Sequence, residues 1–225
     1  MASKVRRITE DYKLFVDALT EKELLIDSNP LAQYQVEGCD RISWSRAGNL
    51  AYLFTDYSSI EQYVQVLNNR DFNFCFIDGG LAQIDYTIKG DEVIKHRLCY
   101  IPCPFSYNPA DWPDIPLSDI PSMMGPEDFL RNAKLASPIR FDFDSKFQDE
   151  RHAYSHVTLN KQTCRIPAYG PVSLGHFFRF VIRYFYEETV EMGEWLADVR
   201  PRLYSRTLEH PSPHEIHIDS AVGFE

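Results

Sequence analysis

Residues 72–102 read FNFCFIDGGLAQIDYTIKGDEVIKHRLCYIP, and this stretch decides the fold. Apolar and polar side chains alternate in three runs, separated by Asp78-Gly79-Gly80 and Gly90-Asp91-Glu92, whose composition suits tight turns between antiparallel strands. The pattern predicts a three-stranded meander. Three-residue loops at both turns put Phe72, Phe74, Phe76, Ala82, Ile84, Tyr86, Ile88, Ile94, Leu98 and Tyr100 on one buried face, because side chains alternate with period two. Gly80 is expected in the left-handed position that closes the first loop, while Gly90 sits at the wrong end of the second. The same register sets Asn73, Asp85 and Arg97 in a row on the opposite face. It lays His96 beside Tyr86 and Phe72, as a core histidine paired with a tyrosine hydroxyl.

Working outward, residues 9–26 carry Tyr12, Phe15, Val16, Leu19, Leu24 and Leu25 at helical spacing, with Thr9 as the expected cap. Residues 34–46 read as a half-buried strand or a bent pair of strands around Gly38. A second helix is expected over 59–69, opened by the capping-box pair Ser58 and Glu61. Residues 106–137 are rich in proline and read as a lid or brace holding one short helix around 128–135. Alternation returns at 138–144, two further strands are expected over 152–168, and Ser173 caps a helix over 174–188 whose face is Phe177, Phe178, Val181, Ile182 and Phe185. A further helical piece is expected at 192–199. The fold class is α+β: an antiparallel sheet of about five or six strands with helices packed on one face. One domain would span 1–200, with a helical part at 1–70, the sheet at 72–168 and C-terminal helices at 173–199, followed by a surface tail at 201–225.

Composition narrows function by exclusion. The 225 residues are 44% hydrophobic and 25% charged, which rules out a disordered polymer. Acidic side chains outnumber basic ones 33 to 23 for a formal charge of -10, so nucleic acid would be met locally or through a partner rather than on a uniformly basic surface. No apolar run is long enough for a membrane span and residues 1–7 do not resemble a secretory signal, so a cytoplasmic protein without membrane contact is expected. The cysteines, at 39, 75, 99, 103 and 164, lie mostly in apolar runs, as in a reducing compartment, and Cys99 with Cys103 lacks the second pair of a zinc site. Glycine-rich phosphate loops, dinucleotide fingerprints, His-Glu-x-x-His and Gly-x-Ser-x-Gly are absent.

One concentration of chemistry-bearing side chains remains. Arg140, Asp142 and Asp144 share one side of a strand, joining a planar anion fork to two carboxylates. His152 and His156 follow and point the same way on an extended chain, where imidazoles could exchange protons with a phosphodiester or hold a divalent metal with an aspartate. Arg97 joins them as a cation for phosphate if its face is covered, or as the ion-pair partner of Asp85 if it is not. The alternative for the whole set is a solvated sheet face with local charge pairing.

The order of these residues also carries a resemblance. Phe76-Ile77-Asp78-Gly79-Gly80, then His96-Arg97 with Tyr100, then Ser137 through Asp144, then His152 with Ser155-His156, then Cys164-Arg165-Ile166-Pro167 before the aromatic helix resemble an uncharacterised bacterial family, catalogued as a domain of unknown function. Its members are encoded beside a helicase in two-gene anti-phage defence loci, and the similarity spans about residues 72–186. The resemblance implies a helicase partner but no reaction. Two functions are compatible with it. One is a nuclease-type effector with His152 or His156 as acid or base, Asp142 orienting it or holding a metal, and Arg97 and Arg140 neutralising phosphate. The other is a non-catalytic adaptor that docks on the helicase through aromatic side chains of the proline-rich loop, such as Trp112.

Overall fold

The computed structural model describes residues 3–44, 60–135, 137–146, 153–160, 163–186, 204–205, 207 and 216–218. Helix α1 (Lys4–Glu21) starts at Ser3, whose hydroxyl accepts the Arg6 amide, and buries Val5, Ile8, Tyr12, Phe15 and Leu19 along one stripe. It begins before Thr9, whose hydroxyl donates to the Val5 carbonyl instead of capping. It also ends earlier than the leucine spacing predicts. Lys22 donates back to Ala18 and Thr20, Glu23 takes φ 56°, and the chain leaves as strand β1 (Leu25–Ser28). A hairpin follows, β2 (Ala32–Val36) and β3 (Cys39–Ser43), closed by Glu37 and Gly38, both at positive φ as a two-residue turn requires.

After α2 (Ile60–Asn69) come β4 (Phe74–Phe76), β5 (Leu81–Lys89) and β6 (Glu92–Ile101), the meander. Ser58, the expected cap of α2, lies outside the described residues. A 3-10 turn (Pro109–Asp111), α3 (Ile120–Met123) and α4 (Pro126–Asn132) make up the proline-rich brace, which holds more helix than the single piece predicted. Pro121 and Pro126 fall in first turns, where a missing amide hydrogen does no harm. Strands β7 (Ile139–Asp144), β8 (Ser155–Leu159) and β9 (Arg165–Pro167) lead to α5 (Leu174–Phe185), capped by Ser173 as predicted. The helical piece expected at 192–199 also lies outside the described residues.

Among the described residues the sheet has nine strands rather than five or six, ordered β1-β4-β5-β6-β7-β8-β9, with β3 paired to the far part of β5 and carrying β2. All of these ladders are antiparallel. The expected register holds between β5 and β6, where Asp85 faces Arg97 and Tyr86 faces His96. Toward the second turn it is met differently. Lys89 faces Glu92 across a two-residue loop with Gly90 at φ 62°, and a bulge near Ile88 makes up the difference, so Val93 and not Ile94 is buried. The first loop is Ile77-Asp78-Gly79, with Gly79 rather than Gly80 in the left-handed position at φ 83° and the Phe76 amide donating to Gly80. Phe74 therefore faces Ala82, which shifts β4 by one step along the same face.

Both faces are covered, another departure from the expectation. On one, α1 and α5 pack against Phe74, Phe76, Ile84, Tyr86, Leu98, Tyr100, Phe141 and Phe143, with Phe178 stacked on Phe15 at 4.3 Å. Each such large side chain, fully buried, contributes roughly 1.5–3 kcal/mol. On the other, α2 and the brace cover one end, where Tyr63, Val66, Phe105, Leu117 and Ile120 pack on Cys75, Leu81, Cys99 and Ile101. Phe72 belongs to this second core rather than to the face predicted for it. Beyond that apolar end, the second face turns ionic.

Candidate functional site

Antiparallel pairing places directly opposed residues on the same face, so the register writes out the ionic row strand by strand. Asp85 on β5 faces Arg97 on β6, Arg97 faces Asp142 on β7, and Asp142 faces His156 on β8. One row over, Arg140 lies between Cys99 and Thr158. Four of the six predicted site residues, Arg97, Arg140, Asp142 and His156, thus meet on one wall. Asp144 lies at the rim, where its carboxylate takes Lys95 at 2.9 Å and the Lys146 amide at 3.1 Å. His152 lies outside the described residues.

Asp142 is the hub. Its Oδ1 accepts from Arg97 Nε at 2.9 Å, and its Oδ2 accepts from Arg140 Nε, from Thr158 Oγ1 at 3.5 Å and faces His156 Nε2 at 3.5 Å. Burial by itself would raise its pKa, but the bond to His156 and the charges of Arg140 and Arg97 outweigh this and hold the carboxyl well below the usual range. Arg140 is pushed down by burial and held up by Asp142. The other ring nitrogen of His156, Nδ1, is 3.2 Å from the Ala153 carbonyl, so a backbone carbonyl just ahead of β8 and a carboxylate fix the ring between them.

The partners differ from those expected. Arg97 turns to Asp142, and Asp85 is taken by Arg41 from β3, with Nε at 2.9 Å and the terminal nitrogen at 2.8 Å. Arg41 and Thr158 were not singled out by the sequence, because nothing local to 34–46 says which strand that segment will flank. Asn73 does not join the row; its Oδ1 accepts the Ile84 amide. His96 is a core histidine, but its Nε2 accepts the Val172 amide at 2.8 Å, while Tyr86 donates to the Val172 carbonyl instead of to the imidazole. Burial lowers the His96 pKa to about 4. Trp112 is half-buried against the second core rather than displayed.

A metal does not fit the wall well. Among the described residues no three His, Cys, Asp or Glu side chains gather as ligands, and the oxygens of Asp142 already face two guanidinium groups that would repel a cation. The wall can hold a proton at His156 and present Arg97, whose side chain is 21% exposed, to an anion. His156 itself is 4% exposed. No helix among the described residues is long and apolar enough to cross a membrane.

Fold and wall together define an α+β protein built on a large antiparallel sheet, with apolar packing on one face and a buried, internally paired ionic network on the other. The chain belongs to the uncharacterized conserved protein family DUF2290, whose family model matches residues 24–220. No curated protein and no solved structure matches it.

Proposed function

We propose that the chain is a non-catalytic docking protein, and that its partner is the helicase that the defence-locus resemblance implies. The observation that carries this reading is the saturation of Asp142: both oxygens are engaged by protein side chains, which suits a network that rigidifies a scaffold more than one awaiting a reactant. The brace supplies the surface. Leu130 on α4 is 77% exposed and Leu135 wholly so, and Met123 on α3 also faces solvent, beside a groove of about 1320 Å³ between α2 and the brace. Such a volume exceeds that of an ordinary small-molecule pocket and suits a protein segment.

A second reading rests on one contact. His156 held against Asp142 beside Arg97 is an acid-base group next to an anion fork, the minimum for a metal-independent attack on a phosphodiester. In that case a partner must uncover the imidazole. Mixing the purified chain with the helicase encoded beside it separates the two. The docking reading expects a stable complex that Leu130→Asp with Leu135→Asp weakens about tenfold or more and His156→Ala leaves intact. Cleavage of DNA or RNA by the pair, with or without divalent metal and ATP, that disappears in His156→Ala would replace it with the second.

A further inference from the structure

Among the described residues the sheet ends at β1, β2 and β9, and the three edges are not alike. Proteins blunt exposed edges with charges, bulges, short strands or covering segments, because unpaired amides and carbonyls template another strand. The β1 ladder is broken by a register shift between Leu25 and Asp27, and the Asp27 carboxylate is clamped by Arg70 at 2.6 and 3.0 Å. Strand β9 is three residues long, and Ile218 covers its outer side, donating to Pro167 at 2.9 Å and accepting from Tyr169 at 2.9 Å. Strand β2, Ala-Gln-Tyr-Gln-Val, has neither device. Its ladder to β3 runs without a shift through five pairs, it contains no charge and no proline, and among the described residues no strand lies along its outer side.

The hairpin geometry says which groups face out. Val36 and Cys39 flank a two-residue turn and exchange backbone bonds, so Val36, Tyr34 and Ala32 point their amides inward, and those of Gln33 and Gln35 point to solvent. Both glutamines are exposed, and the Gln35 side chain donates to Asp40 at 2.5 Å, lying back over its own hairpin and away from the edge.

We propose that β2 pairs antiparallel with β2 of a second copy, about a two-fold axis at Tyr34, to make one sheet continuous across a homodimer. Gln33 then faces Gln35 of the other copy twice over, exchanging backbone bonds in both places, and Ala32 faces Val36. No like charges meet within the strand, despite a chain that carries -10 overall, and this self-complementarity favours a second copy over an acidic or basic partner strand.

Sedimentation equilibrium of the full chain over about 1–100 µM tests the proposal, the range in which a modest edge pairing would show. The expected result is a monomer–dimer equilibrium, with the Gln33 and Gln35 amides gaining protection from hydrogen exchange as concentration rises. Gln33→Lys with Gln35→Lys should weaken the dimer about tenfold or more, since lysines then face lysines. Gln33→Glu with Gln35→Glu should do the same, and an equimolar mixture of the two variants should dimerise again. The changes lie on exposed side chains, and an unchanged circular dichroism spectrum checks the fold. A chain that stays monomeric throughout the range, or a dimer indifferent to the lysines, overturns the proposal.

Discussion

Asp142 holds a negative charge in a place where it is 9% exposed, and two arginines, a threonine and a histidine share it. Removing it leaves Arg140 buried without its carboxylate, so Asp142→Ala should lower stability by about 3–5 kcal/mol, read as a shift of the urea midpoint. The acid limb of stability should follow the same residue. Because the folded carboxyl titrates below its unfolded value, its contribution is complete above about pH 4 and is lost as pH falls further. His96 acts in a different window. Its pKa is lowered by burial to about 4, so the unfolded chain binds the proton first; the contribution is complete above about pH 6.5 and drains away between there and about pH 4. The integrated effect is about 3 kcal/mol. Stability measured against pH in His96→Gln should lose much of the slope between pH 6.5 and 4, leaving the part due to His176, which burial also lowers, and should keep the fall below; a variant that retains the whole upper slope would show that His96 is not a source of it.

At the scale of elements, the tip of the β4–β5 hairpin locks the sheet to the end of α5. Asp78 accepts from the Gly80 amide at 2.9 Å and from the Tyr186 hydroxyl at 2.7 Å, and Tyr186 meets Tyr100 at 2.9 Å. A Cβ on Gly80 would lie 2.6 Å from the Tyr186 hydroxyl and 2.7 Å from that of Tyr100, so Gly80→Ala should cost about 1–3 kcal/mol by calorimetry, most of it from breaking that junction. Tyr186→Phe should cost about 1 kcal/mol and relieve part of the clash, making the double variant less than additive. This tip also shows what the sequence discloses and what it hides. Asp78-Gly79-Gly80 announces a turn and the alternation fixes the faces, but two adjacent glycines leave the left-handed position open, and only the close approach of two tyrosines far along the chain reserves Gly80 for contact and leaves the turn to Gly79. The wall was legible for a similar reason, since period-two spacing puts Arg97, Arg140, Asp142 and His156 on one side whichever strands neighbour one another. The neighbours themselves were not. Strands β1 and β3 pair across long stretches of chain, so the strand count, the Arg41–Asp85 pair and the switch of Arg97 to Asp142 had no local signature. Strand β1 was further masked because Leu24 and Leu25 continue the helical spacing of α1.

For the molecule as a whole, the question is whether the ionic wall exists for stability or for chemistry, and the two answers predict different outcomes from one variant. A buried charge network is weak evidence for stability in itself, because apolar groups of similar volume often replace such networks without loss or with a gain of about 1–4 kcal/mol, while removing one member is costly. Replacing the trio together, as Arg97→Met, Asp142→Leu and Arg140→Met, should therefore give a folded protein whose urea midpoint is close to or above that of the parent, in contrast to Asp142→Ala alone. If the chain works by docking through the brace, on the far end of the same face, this triple variant keeps its affinity for the partner and whatever activity the pair shows. If His156 works as an acid or base, the variant loses that activity while staying folded and bound, since the carboxylate that holds the ring and the arginine that meets the anion are both gone. Stability retained with function retained assigns the wall to the scaffold, and stability retained with function lost assigns it to a reaction.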